Sequence, residues 1–206
     1  MSISNYGELK TAVAGWLNRA DLTAQIPDFI RLAEQRINYG SDQPYPSQPL
    51  RIPAMQAQAT GTITASAIAF PTRFLEPIRL AASSGGSDWT LDYLAPAAYS
   101  VHSNSAAVPT GYTVLNNSIV TSGTGAASYI LDYYQAFASF SADADTNWLL
   151  TNAPGVYLYG ALIESAPYLQ DSLINQWLSS FKSSISAVTR ATRYQGGGSL
   201  AARVMT

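Results

Sequence analysis

The sequence predicts an α+β protein. An antiparallel helical bundle is built from two N-terminal and two C-terminal helices, a small antiparallel β unit is inserted between them, and an extended arm follows. Three observations predict it. Apolar residues recur at helical spacing before residue 40 and again after residue 146. Between them the period falls to two, punctuated by glycine and asparagine turns. The last 35 residues hold an amphipathic helix, three consecutive glycines and a short apolar tip.

Asn5-Tyr-Gly-Glu8 reads as a capping box, with Asn5 at the cap and Glu8 three positions on. Tyr6, Leu9, Val13, Trp16 and Leu17 then share one helical face. Asp21 is placed to cap a short turn through Gln25. Pro27 opens a second helix, where its missing N–H is not needed. Ile26, Phe29, Ile30, Ala33 and Ile37 form that helix's stripe, and Tyr39-Gly40 ends it. Pro44, Pro46, Pro49 and Pro53 make the next stretch an irregular crossing segment. Residues 55–60 and 62–66, on either side of Gly61, read as a hairpin. Residues 75–82, 89–94, 112–115, 119–121 and 129–134 are further strand candidates, giving five to seven short strands. Asn116-Asn117 signals a tight turn, because asparagine tolerates positive φ. Gly85-Gly86 marks another, and residues 96–101 read as a short helix.

Helical period returns at Thr146, with a turn or two over residues 147–150. Pro154 opens a helix that is apolar nearly all round through Ala166, which marks a helix packed on several sides. The last helix spans residues 172–194. Its face is Leu173, Ile174, Trp177, Leu178, Phe181, Ile185 and Val188. The expected division is a helical body of 1–54 and 138–195, a β insert of 55–137 and an arm of 196–206.

Composition narrows the function. Charged residues make up 12% of the chain, against about 25% in an ordinary soluble domain. Interface cores are poor in charge and rich in tyrosine, so a surface facing other protein fits this balance. The net charge of −2 is unevenly placed. Residues 172–206 carry Lys182, Arg190, Arg193 and Arg203 and no acid, while the rest carries seven bases and thirteen acids. The asymmetry suits contact between copies or with an acidic partner. It falls short of the broad basic stripe of a DNA-binding protein. No run of about 18 apolar residues predicts a membrane span. Met1–Asn5 lacks the basic start and apolar stretch of a secretion signal, so a protein made and used without export is expected.

The residues offer little chemistry. Without cysteine there is no disulfide, thiolate site or thiol nucleophile. The single histidine, His102, stands in a polar stretch and reads as a surface residue. Phosphate-loop, dinucleotide and serine-elbow motifs are absent from the sequence. Asp143, Asp145 and Asn147 match the first ligands of a calcium loop, but Trp148 stands where glycine is needed and Pro154 where glutamate is needed. They read as a loop capping the Trp148 turn. Glu164, inside an apolar helix, calls for an ion pair with Arg36 or Arg31, since buried carboxylates are rarely unpaired. Trp16, Trp148, Trp177, Tyr133 and Tyr134 read as core and interface anchors, because no bases interleave with them. The expectation is no catalytic site, no cofactor and no metal.

Two blocks carry a family resemblance. One runs from Tyr6-Gly-Glu-Leu-Lys through Trp16-Leu-Asn-Arg-Ala-Asp-Leu22 to Ile26-Pro-Asp-Phe-Ile-Arg-Leu-Ala-Glu-Gln-Arg-Ile37. The other holds Leu131-Asp-Tyr-Tyr134, Thr146-Asn-Trp-Leu-Leu-Thr-Asn-Ala-Pro154, Leu158-Tyr-Gly-Ala-Leu162 and Glu164-Ser-Ala-Pro-Tyr-Leu169. Together they resemble the head-to-tail adaptor (connector) proteins of tailed bacteriophages, as found after the portal in short-tailed phages. The resemblance covers both helical ends. It departs after Ile37, where a proline-rich stretch replaces an arginine-rich continuation.

The resemblance implies a non-enzymatic virion protein of the neck and tail, present in the host cytoplasm during assembly. It implies a homo-oligomeric ring, usually of twelve copies, seated beneath the portal. Double-stranded DNA passes through the lumen without sequence-specific binding, and the far side receives a tail nozzle or other tail protein. The portal contact falls to the last helix and arm: Arg190, Arg193, Leu200, Arg203, Val204 and Met205, hinged at Gly196, Gly197 and Gly198. Those glycines predict an arm that orders only on assembly. The rival readings are another neck or tail-completion protein, and a glycan-binding or wall-degrading tail component for which Asp88 and Asp92 are the carboxylate candidates.

Overall fold

The computed structural model describes residues 3–42, 44–63, 66–102, 108–123, 127–170 and 172–193. The helices are α1 (Tyr6–Leu17), α2 (Ile26–Tyr39), α3 (Pro96–His102), α4 (Trp148–Asn152), α5 (Pro154–Leu169) and α6 (Ile174–Arg193). The strands are β1 (Gln56–Thr62), β2 (Ala67–Ala69), β3 (Phe74–Ser84), β4 (Ser87–Thr90), β5 (Asp92–Tyr93), β6 (Gly111–Leu115), β7 (Ser118–Thr121) and β8 (Ser128–Gln135). The mixed α+β class is as expected. The chain forms two compact units, Met1–Ala54 with Phe137–Thr206, and Met55–Ala136.

In the helical unit, Asn5 caps α1 by accepting the Glu8 N–H at 2.9 Å. The Glu8 carboxylate does not return to Asn5, as a capping box would have it. It takes the Ser4 N–H at 2.7 Å and the Ser4 hydroxyl at 2.8 Å. The next free amides of α1 are met by a distant loop: Tyr6 N–H donates to Asp145 O and Gly7 N–H to Asp143 O, both at 2.9 Å. Helix N-termini leave such donors open, so this loop is fastened by need. Tyr6 stacks on Phe140 of the same loop at 5.1 Å. The turn after α1 forms with Gln25 N–H on Leu22 O. Asp21 does not cap it. Its carboxylate is instead held by the Arg19 guanidinium at 2.6 and 2.7 Å, which lowers its pKa to about 2.

Helix α5 is buried on every side through Val156, Tyr157, Leu158, Ala161, Leu162, Ile163 and Ala166. Gly160 explains how its neighbours come so close. A Cβ there would lie 3.0 Å from the Ala33 Cβ of α2 and 3.4 Å from the Phe181 ring of α6. The absent side chain lets α5 pass between the two helices, a spacing that even alanine would strain. Helix α1 touches α5 through Trp16, edge-on to Tyr159 at 5.7 Å.

The β unit holds two four-stranded sheets, ordered β1-β8-β3-β4 and β2-β7-β6-β5. All pairings are antiparallel except β5 with β6. Leu80 and Leu131 of one sheet share a core with Ile68, Tyr112 and Ile119 of the other. Asn116 and Asn117, with φ of 50° and 58°, turn β6 into β7. Gly85 and Gly86 turn β3 into β4.

Two strand expectations are corrected. Residues 55–66 are not a hairpin about Gly61. Strand β1 runs straight through Gly61, opposite Tyr129 of β8. A Cβ at Gly61 would fall 2.9 Å from the Tyr129 ring, so this glycine makes room for a ring instead of a turn. Residues 89–94 are not one strand either. The chain leaves the first sheet at β4 and enters the second at β5, with buried Leu91 at the crossing and its N–H on Leu80 O at 2.8 Å. The described residues thus hold eight strands, not five to seven.

Candidate functional site

Helix α6 turns Ile174, Trp177, Phe181 and Val188 inward, at the three- and four-residue spacing of a single stripe. Thr192 is also buried, and its hydroxyl donates to Val188 O at 2.8 Å. The outer face exposes Lys182 and Arg190 among serines and alanines and has no acid. Bases near a helix C-terminus also suit the helix dipole. Trp148, Asn152 and Gly155 face Ser184, Ala187 and Ala191 across a cleft of about 440 Å³. The small side chains on α6 keep it open.

Of the residues assigned to the arm contact, Arg190 is exposed on this face and Arg193 ends α6. Gly196, Gly197, Gly198, Leu200, Arg203, Val204 and Met205 lie outside the described residues, as does the Arg193 side chain. Glu164 meets Arg36 of α2, Nε to Oε1, at 2.5 Å. Arg36 is 8% exposed and Glu164 18%. A second guanidinium nitrogen of Arg36 donates to Tyr45 O at 2.6 Å, which ties the proline-rich segment to α2 and α5. This pair lies inside the fold, away from the outer face of α6.

The rival sites are occupied by other work. Asp143 pairs with Lys10 at 2.6 Å. The Asp145 carboxylate accepts the Ser141 and Ala142 N–H groups, which lower its pKa. Asn147 caps α4 through the Leu150 N–H and donates to the Tyr157 hydroxyl. The three side chains of the calcium-like spacing thus serve the loop. Asp88 stands on β4 and Asp92 on β5, in different sheets, and both are exposed. Tyr133 and Trp177 are buried, and Trp148 stacks on Phe137. His102 ends α3, and its side chain lies outside the described residues. Among the described residues, no group of three or more His, Asp or Glu is placed to hold a metal, and no helix is long and apolar enough to cross a membrane.

Sequence reasoning missed a pocket of about 330 Å³ lined by Tyr6, Asp28, Arg31, Glu34, Ser139 and Phe140, among others. Burial raises the Glu34 carboxyl pKa above its ordinary 4.5, against hydrogen bonds from Ser139 and Phe140 and the nearby Arg31. The signal was Glu34's place beside the Ile30–Ala33 stripe, at the edge of the apolar face. A raised carboxyl pKa favours the folded state below the unfolded value, and that stability is lost as pH rises through the folded value. Glu34→Gln is therefore expected to match the wild type below pH 4.5 and to exceed it in urea midpoint at neutral pH. A lower midpoint for the variant at neutral pH contradicts this.

A search of curated proteins finds no match to the chain. A family model does match, that of the SU10 adaptor protein, over residues 4–203. That span takes in both helical ends, the whole β unit and nearly all of the C-terminal segment. The chain belongs to the SU10 adaptor protein family, a family of phage head-to-tail adaptors.

Proposed function

We propose that the protein is a structural adaptor that forms a ring of twelve copies between portal and tail in the virion neck. The family match over residues 4–203 carries this reading. The helices pack as an antiparallel bundle that makes the ring wall, and residues 55–137 form an inserted domain. Helix α6 and the arm after it grip the portal, with Arg190, Arg193 and Arg203 supplying charge and Leu200, Val204 and Met205 supplying burial. Gly196, Gly197 and Gly198 form the hinge. The far side of the ring takes a tail nozzle or other tail protein. Copies accumulate in the host cytoplasm before joining the particle.

The lumen passes double-stranded DNA without gripping it. A net charge of −2 supports that reading, because tight non-specific binding to DNA comes from many Lys and Arg contacts to phosphate. The protein's task is mechanical, with no catalytic step. Mixing the full-length chain with the portal of its own phage and imaging the complex tests the proposal. The expected class averages show a closed ring seated on one face of the portal. A chain that stays monomeric and off the portal, or that locates to a tail fibre, defeats it.

A further inference from the structure

The edge of a sheet can accept a strand from another chain, and folded proteins guard their edges with charge, proline, bulges or brevity. Most edges of the β unit are guarded in this way. Strands β2, β4 and β5 run for only three, four and two residues. Asp88 stands on β4 and Asp92 on β5. The half of β3 that extends beyond β4 carries Glu76, Pro77 and Arg79, and its register on β8 shifts twice.

Strand β1 is the exception. It is an outer strand of its sheet, paired only with β8 among the described residues. It runs for seven residues, Gln56 to Thr62, without a charge, a proline or a break in register. The ladder also fixes which of its amides are open. One step past the Thr62–Ser128 pair, Ile63 N–H donates to Ala127 O at 2.9 Å. Hydrogen-bonded pairs alternate with non-bonded ones along an antiparallel ladder. Ala57, Ala59 and Gly61 therefore turn their N–H and C=O groups toward β8, and Gln58, Thr60 and Thr62 turn theirs outward. The last three residues are exposed, and no other strand among the described residues takes these groups.

The side chains of β1 say what fits there. An added strand answers the outward groups with its own backbone, and its alternate side chains give the selectivity. On the core side it meets Ala57 and Ala59, packed at the rim of the core shared by the two sheets. Their small side chains leave room for larger apolar ones. On the other side it meets Gln58 and Thr60. An extended segment that alternates apolar and uncharged polar residues suits both sides.

A second copy supplies no such segment within a ring. Copies in a ring meet through two different surfaces, and the other described edges are short or guarded. Pairing β1 with β1 is two-fold and stops at a dimer. The portal contact is assigned to α6 and the arm, in the other compact unit. The neighbour that remains is the tail protein on the far side. We propose that β1 is the tail-docking edge of the adaptor, and that an extended, uncharged segment of the tail protein joins its sheet as a fifth strand. This rests on the adaptor reading above and names the surface and the chemistry of its tail contact.

The test uses the full-length chain assembled on its portal, with the tail nozzle protein of the same phage as the probe. Amide exchange over residues 57–63, followed by mass spectrometry, is expected to slow only when the nozzle protein is added. Thr60→Pro removes an outward N–H and leaves the pairing with β8 intact, since proline is accepted on an edge strand. It is expected to weaken nozzle binding about tenfold or more, with ring formation on the portal unchanged. Thr60→Ala keeps the amide and is expected to bind as the wild type does. Should Thr60→Pro fail to fold, Thr60→Lys guards the edge with charge and is expected to weaken binding likewise. Undiminished binding by the proline and lysine variants overturns the docking edge and leaves the adaptor reading standing. So does exchange that is already slow in the ring before the nozzle protein is added, which would put another copy on β1. A wild-type ring that takes no nozzle protein overturns the tail contact and the edge together.

Discussion

Arg36→Met is expected to destabilise the helical unit by about 3–5 kcal/mol. The methionine keeps most of the apolar stem, so little packing is lost. What goes is the charge. Glu164, 18% exposed, then carries its negative charge in an apolar helix without the guanidinium 2.5 Å away. The Tyr45 carbonyl loses its donor as well. Glu164 reaches water over only a small part of its side chain, so solvent replaces the lost guanidinium incompletely. Replacing both members of a buried pair is often nearly neutral, because no lone charge remains. Arg36→Met with Glu164→Leu is therefore expected to recover most of the loss. Urea denaturation of the wild type, both single variants and the double variant checks it. A single-variant loss below about 1 kcal/mol, the level of an exposed pair, contradicts it.

Much of this arrangement is legible from local chemistry. An acid inside an apolar helix needs a cation, and α2 presents Arg36 one turn before its end. Asparagine pairs tolerate positive φ, and Asn116-Asn117 turn where that tolerance is required. The errors share one cause: a partner that the local pattern does not name. Gly61 resembles a turn until Tyr129 is seen across the ladder. Residues 89–94 alternate as one strand would, yet Leu91 passes between sheets because a shared core draws it inward. Asp21 has the chemistry of a cap, but Arg19 two residues earlier claims its oxygens. The Glu34 pocket was hidden for the same reason. Its second wall, Ser139 and Phe140, arrives from a loop far downstream that fastens to the start of α1.

The largest functional effect is expected from removing residues 196–206. The deletion leaves every described helix and strand in place, so circular dichroism and the thermal midpoint are expected to match the full-length protein. It takes away Leu200, Val204 and Met205, the apolar side chains assigned to the grip, together with Arg203. Losing the burial of three such side chains, at about 1.5–3 kcal/mol each, weakens a portal complex by well over a hundredfold. Helix α6 remains, with Arg190 on its outer face, and is not expected to hold the portal alone. The decisive measurement is co-purification of the truncated and full-length chains with the same portal at matched concentration. Full-length protein retained and truncated protein lost is the predicted result; folded, truncated protein retained as well as the full-length chain contradicts it.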